Sequence, residues 1–218
     1  MFIQYSKVLE NAVNEISKLP GIGKRSALRL VLYLTKTDQK DVSVLTDAIQ
    51  KLKTDLKVCQ VCYNLSDEET CSICNNPKRD QSTICVVQDI RDVIAIENTQ
   101  QYFGVYHVLG GVISPMEGIG TQQIRLNELF QRVSNQEIKE VVMALPATPE
   151  GDTTNYYIYK NIKNLVPTIT TIARGIGINE ELEYADEVTL GRSLLTRTEF
   201  GKWEKIKDEG QRTKDKSH

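Results

Sequence analysis

Long apolar runs are missing from the 218-residue chain. No stretch approaches the roughly 20 apolar residues that cross a bilayer, and no positively charged start leads into an apolar signal-like segment. The expectation is a cytoplasmic protein with no membrane attachment. A cationic excess is also missing: 27 lysines and arginines face 29 aspartates and glutamates, for a net charge of −2. This excludes a histone-like protein but leaves room for a local basic patch. Cysteine is scarce outside one cluster. Four of the five cysteines fall between positions 59 and 74, and Cys85 stands alone in an apolar run. That suits a reducing compartment and a core thiol better than a disulfide framework. With 40% apolar residues the chain is not disordered and can fill one large or two modest domains.

The charge that is present is unevenly spread. Residues 1 to 37 carry Lys7, Lys18, Lys24, Arg25, Arg29 and Lys36 against Glu10 and Glu15, a net +4, which leaves −6 for the remainder. If the chain touches nucleic acid, the N-terminal part is the surface to expect. Apolar residues at Tyr5, Val8, Leu9, Ala12, Val13, Ile16 and Leu19 predict an amphipathic helix. Leu19-Pro20-Gly21-Ile22-Gly23 breaks that period, and a second helix is predicted from near Ser26. A third runs from Asp41 with Leu45, Ala48, Ile49, Leu52 and Leu56 on one stripe. Gly21 and Gly23 let backbone N–H groups converge beside a helix N-terminus, where phosphate is favoured, and Lys24, Arg25 and Arg29 add full charges. Such a site reads phosphate and not bases. The alternative is a plain tight turn whose cations are solvated. A nucleotide P-loop is rejected, because Arg25 replaces the Ser/Thr, Lys18 stands where the first glycine belongs, and a helix precedes it.

Cys59-Gln-Val-Cys62, eight residues, then Cys71-Ser-Ile-Cys74 place four thiolates within reach of one tetrahedral Zn²⁺. A redox motif needs only one such pair and normally opens a helix in a βαβ setting, and two disulfides are the other alternative. Four protein thiolates leave no open position for water or substrate, so the expected role is structural.

Beyond a polar run from Asn75 to Ser82, expected to be a linker, short strands alternate with helices. Strands are predicted at Ile84 to Val87, Val105 to Leu109, Glu140 to Leu145 and Thr168 to Ala173. Helices are predicted from a cap at Asp92 through Ile96, from about Thr121, over Asp152 to Ile162 and over Asp186 to Thr198, before a polar tail from Gly201 expected to fray. This alternation implies an α/β domain with a parallel sheet covered on both faces. Function in such sheets gathers at the strands' carboxyl ends. There the chain offers Gln88-Asp89, His107, the pair Glu150 and Asp152, and Arg174. Glu150 and Asp152 could hold Mg²⁺ against phosphate, or simply begin a helix whose dipole they suit. His107 reads more readily as a packing or loop residue than as a catalyst. The glycine-rich segment Gly110 to Gly120 is long enough to be either functional or mobile.

Leu19-Pro-Gly-Ile-Gly23, the four cysteines, Tyr106-His-Val-Leu-Gly-Gly111 with Ser114-Pro115, Glu150-Gly-Asp152, Ala173-Arg-Gly175 and Tyr184 to Gly191 together resemble the RecR family of bacterial recombination mediators, over nearly the whole chain. The resemblance implies a helix-hairpin-helix module at residues 1–57, a four-cysteine zinc motif at 58–76, a Toprim domain at 77–174 and a C-terminal Walker B-like segment with a polar tail at 175–218. It implies a DNA-binding scaffold without catalysis, assembled as a ring-like tetramer, that works with RecO and RecF to load RecA at single-stranded gaps. Arg25 and Arg29 match the family's DNA-contacting positions, and Glu150 and Asp152 match acidic positions associated with the RecO contact. Catalytic Toprim enzymes carry a glutamate after the first strand, where this chain has Gln88, whose amide cannot exchange a proton at neutral pH. Asp89 is adjacent but, along a strand, is expected to point to the opposite face. No tyrosine is marked as a strand-cleaving nucleophile. The rival expectation is a Mg²⁺-dependent phosphoryl-transfer enzyme using Glu150, Asp152 and Asp89; a third is a docking protein whose hairpin serves only oligomerisation.

Overall fold

The structure is a computed structural model that describes residues 6–177 and 179–197. It divides into two units, Met1–Leu56 and Lys57–His218. In the first, α1 (Lys7–Ile16) and α2 (Lys24–Leu34) pack against each other, and Ala27 and Val31 of α2 are buried. The turn between them closes with the Ile22 N–H donating to the Leu19 carbonyl at 3.1 Å. Pro20 and Gly21 occupy its centre, and Gly21 adopts φ +78°, the left-handed value that the third residue of a type II turn requires. The second helix begins at Lys24, two residues before the predicted Ser26. Gly23 is already its N-cap, and its carbonyl accepts the Ala27 N–H at 2.9 Å. The third helix, α3 (Gln39–Thr54), starts after Asp38 and not at Asp41; its Val44, Leu45, Ile49 and Leu52 are exposed.

The second unit opens with a two-stranded antiparallel ribbon, β1 (Lys57–Val58) and β2 (Leu65–Ser66), that brackets the first cysteine pair. A parallel sheet follows, formed by β3 (Asp80–Val87), β4 (Gly104–Val108), β5 (Glu140–Ala144) and β6 (Thr168–Thr171) in the order β4-β3-β5-β6. Its crossovers carry α4 (Ile90–Thr99), α5 (Leu126–Asn135) and α6 (Pro149–Ile162), and α7 (Glu187–Leu195) comes last. Alternation along β3 sends Ile84 and Val86 to one face, against Leu126, Leu129 and Val133 of α5 and Ile158 and Ile162 of α6. Cys85 and Val87 face the other way with Tyr106 and Val108, covered by Val93 and Ile96 of α4 and by Tyr63 and Ile73 from the cysteine segment. The α/β parallel sheet is therefore covered on both faces, as expected, and Cys85 is a core residue.

Several boundaries differ from expectation. Asp80 to Ser82 belong to β3 and not to a linker, because the Asp80 N–H donates to Phe103 O at 2.9 Å and Ser82 O accepts the Lys139 N–H at 2.8 Å. The cap of α4 is Asp89 and not Asp92. Asp89 accepts the Arg91 N–H at 2.8 Å, while Asp92, one turn in, accepts the Gln88 and Asp89 N–H groups at 3.1 and 3.0 Å. Helix α5 starts five residues after Thr121 because the Arg125 N–H is drawn to Leu109 O at 2.9 Å. Helix α6 already begins at Pro149, behind a Thr148 cap. Asp186 caps α7 by accepting the Thr189 N–H at 2.9 Å. The predicted helix end at Thr198 and the tail from Gly201 lie outside the described residues. No helix among the described residues is long and apolar enough to cross a membrane.

Candidate nucleic-acid interface, zinc centre and partner site

The hairpin presents its glycines and cations together. Gly21, Gly23, Lys24, Arg25 and Arg29 are all exposed. Among the described residues, a β-carbon built at Gly21 or Gly23 would meet nothing within 4 Å, so there only the positive φ of Gly21 demands glycine. Helix α2 has no side-chain cap and no acidic residue in its first turn, although Lys24 and Arg25 lie there. Among the described residues, neither these two nor Arg29 has a carboxylate within 4.0 Å. Cations at the positive end of a helix are unfavourable by a few tenths of a kcal/mol each, roughly 0.3–1. The hairpin thus presents positive charge with no protein carboxylate beside it among the described residues.

The four Sγ atoms of Cys59, Cys62, Cys71 and Cys74 lie within 4.8 Å of one another, with Cys62 and Cys71 at 3.5 Å. Tetrahedral zinc with Zn–S bonds of about 2.3 Å separates its sulfurs by about 3.8 Å, so the set fits. Cys59, Cys62 and Cys71 are buried. The Cys71 N–H donates to Cys59 Sγ at 3.3 Å and the Cys74 N–H to Cys71 Sγ at 3.5 Å, the kind of amide bonds that stabilise thiolates. Hydrogen bonds from Cys62 and Cys74 pull the Cys71 thiol down, and the same crowding pushes Cys62 and Cys74 up. Four thiolates so close can ionise together only around a cation. No disulfide joins any of the five cysteines.

The cysteine segment is docked on the sheet. The Val108 N–H at the end of β4 donates to Cys62 O at 2.8 Å. Tyr63, held at φ +63°, meets the His107 ring edge-on at 5.4 Å and lies under the Arg125 guanidinium at 5.0 Å. Arg132 of α5 is buried and donates from Nη1 to Tyr106 O at 2.7 Å and Val61 O at 3.4 Å, and from Nε to Gln136 Oε1 at 3.2 Å. Burial lowers its pKa, while Cys74, Cys62 and Cys59 act in the opposite sense. Arg132 was missed in the sequence; the available signal was a cation at helical spacing between Leu129 and Val133 on the face that α5 buries.

At the carboxyl ends of the strands, Asp89 and Asp152 are already engaged. Thr148 caps α6 by accepting the Gly151 N–H at 3.1 Å, which carries Glu150 and Asp152 into the first turn, where the dipole suits them. Gly151 is sterically required, since a β-carbon there would sit 2.0 Å from Pro146 O. Asp152 Oδ1 pairs with Arg174 Nη1 at 2.7 Å, and Oδ2 with Arg192 Nη2 of α7 at 3.4 Å. Burial alone would raise the Asp152 carboxyl, but the two guanidiniums outweigh it and hold it below the usual carboxylate range. Arg174, Arg192, Ala147, Ala173 and Asp186 line a cleft of about 510 Å³. Asp89 does not point to the opposite face of a strand, because β3 has ended; its carboxylate caps α4 and pairs with Arg91, whose hydrogen bond keeps it ionised. Among the described residues, only the four cysteines form a group of three or more potential metal ligands. Glu150, Asp152 and Asp89 do not converge.

His107 is fully buried, with Nε2 2.8 Å from Arg125 O, and burial lowers its pKa to about 4. It is a packing residue. The Gly110 to Gly120 loop is folded on itself by reciprocal 2.9 Å bonds between Ser114 and Ile119, and it is anchored to α6 by the Ile113 N–H donating to Thr154 Oγ1 at 2.9 Å.

Family matches cover both units: the RecR helix-hairpin-helix at residues 9–53, the RecR zinc finger domain with four cysteine ligands at 56–76, the Toprim domain at 82–173 and the RecR C-terminal region at 175–198. The chain is 57% identical to "Recombination protein RecR" of Bacteroides thetaiotaomicron, over 90% of this chain and 97% of that one. It is 55% identical to the protein of the same name from Flavobacterium johnsoniae, over 90% and 96% respectively. The chain belongs to the RecR family. It is thus a recombination-repair protein, with a RecR helix-hairpin-helix, a structural zinc held by Cys59, Cys62, Cys71 and Cys74, and a Toprim domain. Zinc in a RecR finger supplies a fold-holding cross-link; the protein's own contribution is the docking of that finger through Tyr63, Ile73 and Arg132.

Proposed function

We propose that this RecR-family chain is a non-catalytic, sequence-nonspecific DNA clamp and scaffold. It works in the cytoplasm with RecO and RecF to help load RecA at single-stranded gaps, touching both double- and single-stranded parts of gapped DNA. The observation that carries the reading is the anion-deficient hairpin: an uncapped α2 N-terminus, two exposed glycines and three cations without carboxylate partners among the described residues. DNA phosphate supplies the missing charge. Gly21, Gly23, Lys24, Arg25 and Arg29 form the contact, in a module spanning residues 1–57, followed by the zinc motif at 58–76, the Toprim domain at 77–174 and the C-terminal segment at 175–218. One hairpin makes few phosphate contacts, and a ring tetramer raises avidity by linking several. The exposed apolar stripe of α3 supports self-association.

Glu150 and Asp152 form the partner site. Because Asp152 is held by Arg174 and Arg192, a basic RecO surface gains it only by competing with those arginines. Gln88 and the prior engagement of Asp89 and Asp152 favour a scaffold over phosphoryl transfer. The test is Arg25→Ala with Arg29→Ala. Each lost phosphate contact lowers the salt slope of binding by about 0.9, so the pair lowers it by about 1.8 per engaged hairpin while the melting temperature holds. Unchanged affinity and slope would refute the assignment.

A further inference from the structure

Arg132 is the only buried charged side chain among the described residues, and it is 8% exposed. No carboxylate lies within 4.0 Å of it among those residues; its partners are the neutral oxygens of Tyr106, Val61 and Gln136. A buried guanidinium with only neutral partners is expensive, because desolvation costs several kcal/mol per ion. A second buried charge sits beside it. Zinc with four thiolates carries a net charge of −2, and Cys59, Cys62 and Cys71 are buried. The amides of Cys71 and Cys74 neutralise part of that charge. Val61, whose carbonyl accepts from Arg132, lies inside the first cysteine pair.

We infer that Arg132 is the positioning counter-charge of the zinc centre: the buried cation on α5 that balances the thiolate cluster and latches the finger to the Toprim sheet. Each of the two buried charges accounts for the presence of the other. The same side chain joins three elements, because one fork holds the Tyr106 carbonyl in β4, the Val61 carbonyl in the zinc loop and Gln136 at the end of α5. The inference rests on zinc occupying the four cysteines and not on the DNA or partner reading.

The experiment uses the full-length, zinc-loaded protein and its Arg132→Met and Arg132→Lys variants, in competition with a chromophoric zinc chelator at fixed pH. Melting temperature and far-ultraviolet dichroism are followed in parallel. Methionine fills the space but removes both the charge and the hydrogen bonds to Tyr106 O and Val61 O, which leaves those carbonyls unsatisfied. A purely structural role therefore predicts equal zinc loss from Arg132→Lys, which also loses the fork, and from Arg132→Met. The counter-charge role predicts weaker zinc affinity by roughly 10–100-fold, the usual cost of losing an outer-shell partner. Arg132→Lys keeps the charge and loses the fork, and is expected to hold zinc clearly better than Arg132→Met. Wild-type retention by Arg132→Met, or equal loss in both variants, would overturn the inference. Should Arg132→Met fail to fold, the lysine variant decides: near-wild-type retention supports the inference, and a loss in the 10–100-fold range overturns it.

Discussion

Replacing Gly151 by alanine tests the backbone approach that positions the acidic pair. The added β-carbon would lie 2.0 Å from Pro146 O and 3.0 Å from Pro146 C, against backbone and not against a yielding side-chain tip. Ordinary contact begins more than 1 Å further out, as a rough van der Waals figure, so α6 or the Pro146 turn must shift. Overpacking of this kind costs about 1–3 kcal/mol. In a unit of this size each kcal/mol lowers the melting temperature by about 2–4 °C, which gives a fall of about 2–12 °C. Calorimetry on the zinc-loaded protein reads it. Gly191→Ala is the matched control: it also lies in a helix, but its β-carbon would meet nothing within 4 Å among the described residues, so it is expected to be neutral or slightly stabilising. Equal melting temperatures for wild type and Gly151→Ala would refute the steric argument. The helix preference of alanine alone would raise the value.

Asp152 has a depressed folded pKa, so its contribution is present above the unfolded carboxylate value of about 3.9 and is lost as pH falls through the folded value. Protection of α7 from hydrogen exchange, corrected for intrinsic rates, should therefore hold from neutrality to mild acid and then fall. Asp152→Asn should show the loosened state already at neutral pH, with an effect of about 0–1 kcal/mol per partly exposed pair, and no further acid step from this group. A variant protected like wild type would remove Asp152 from the anchoring of α7. Verified zinc removal should lower the melting temperature of the Toprim domain as well as the finger, because Tyr63 and Ile73 would leave the face that carries Cys85, Val87, Tyr106 and Val108. Structural zinc in finger peptides contributes about 10–16 kcal/mol, comparable with the roughly 5–15 kcal/mol that stabilises a whole domain. An unchanged melting curve would show that the finger is not part of the domain's core.

What the sequence reveals here is what is local. The cysteine spacing declares the metal site because all four ligands come from one short segment, and Ile84 to Val87 reads as a strand because its apolar run is buried on both sides. Asp89 and Asp92 stand three apart, either could have capped α4, and only backbone geometry separates the cap from the N3 residue. The extension of β3 back to Asp80 was hidden for a similar reason: polar residues at a strand's exposed start look like linker until their hydrogen-bond partners are known. The pairing of Asp152 with Arg174 and Arg192 joins residues far apart in the chain. The role of Arg132 depends on burial against the zinc loop, and no period along α5 encodes that loop.

The most direct test of the central claim is fluorescence anisotropy of labelled gapped DNA titrated with the protein across a salt series in the presence of Mg²⁺, with the DNA's length checked afterwards. The account predicts affinity that falls steeply as salt rises, with the DNA intact. Salt-independent binding, or DNA shortened only when Mg²⁺ is present, would contradict it.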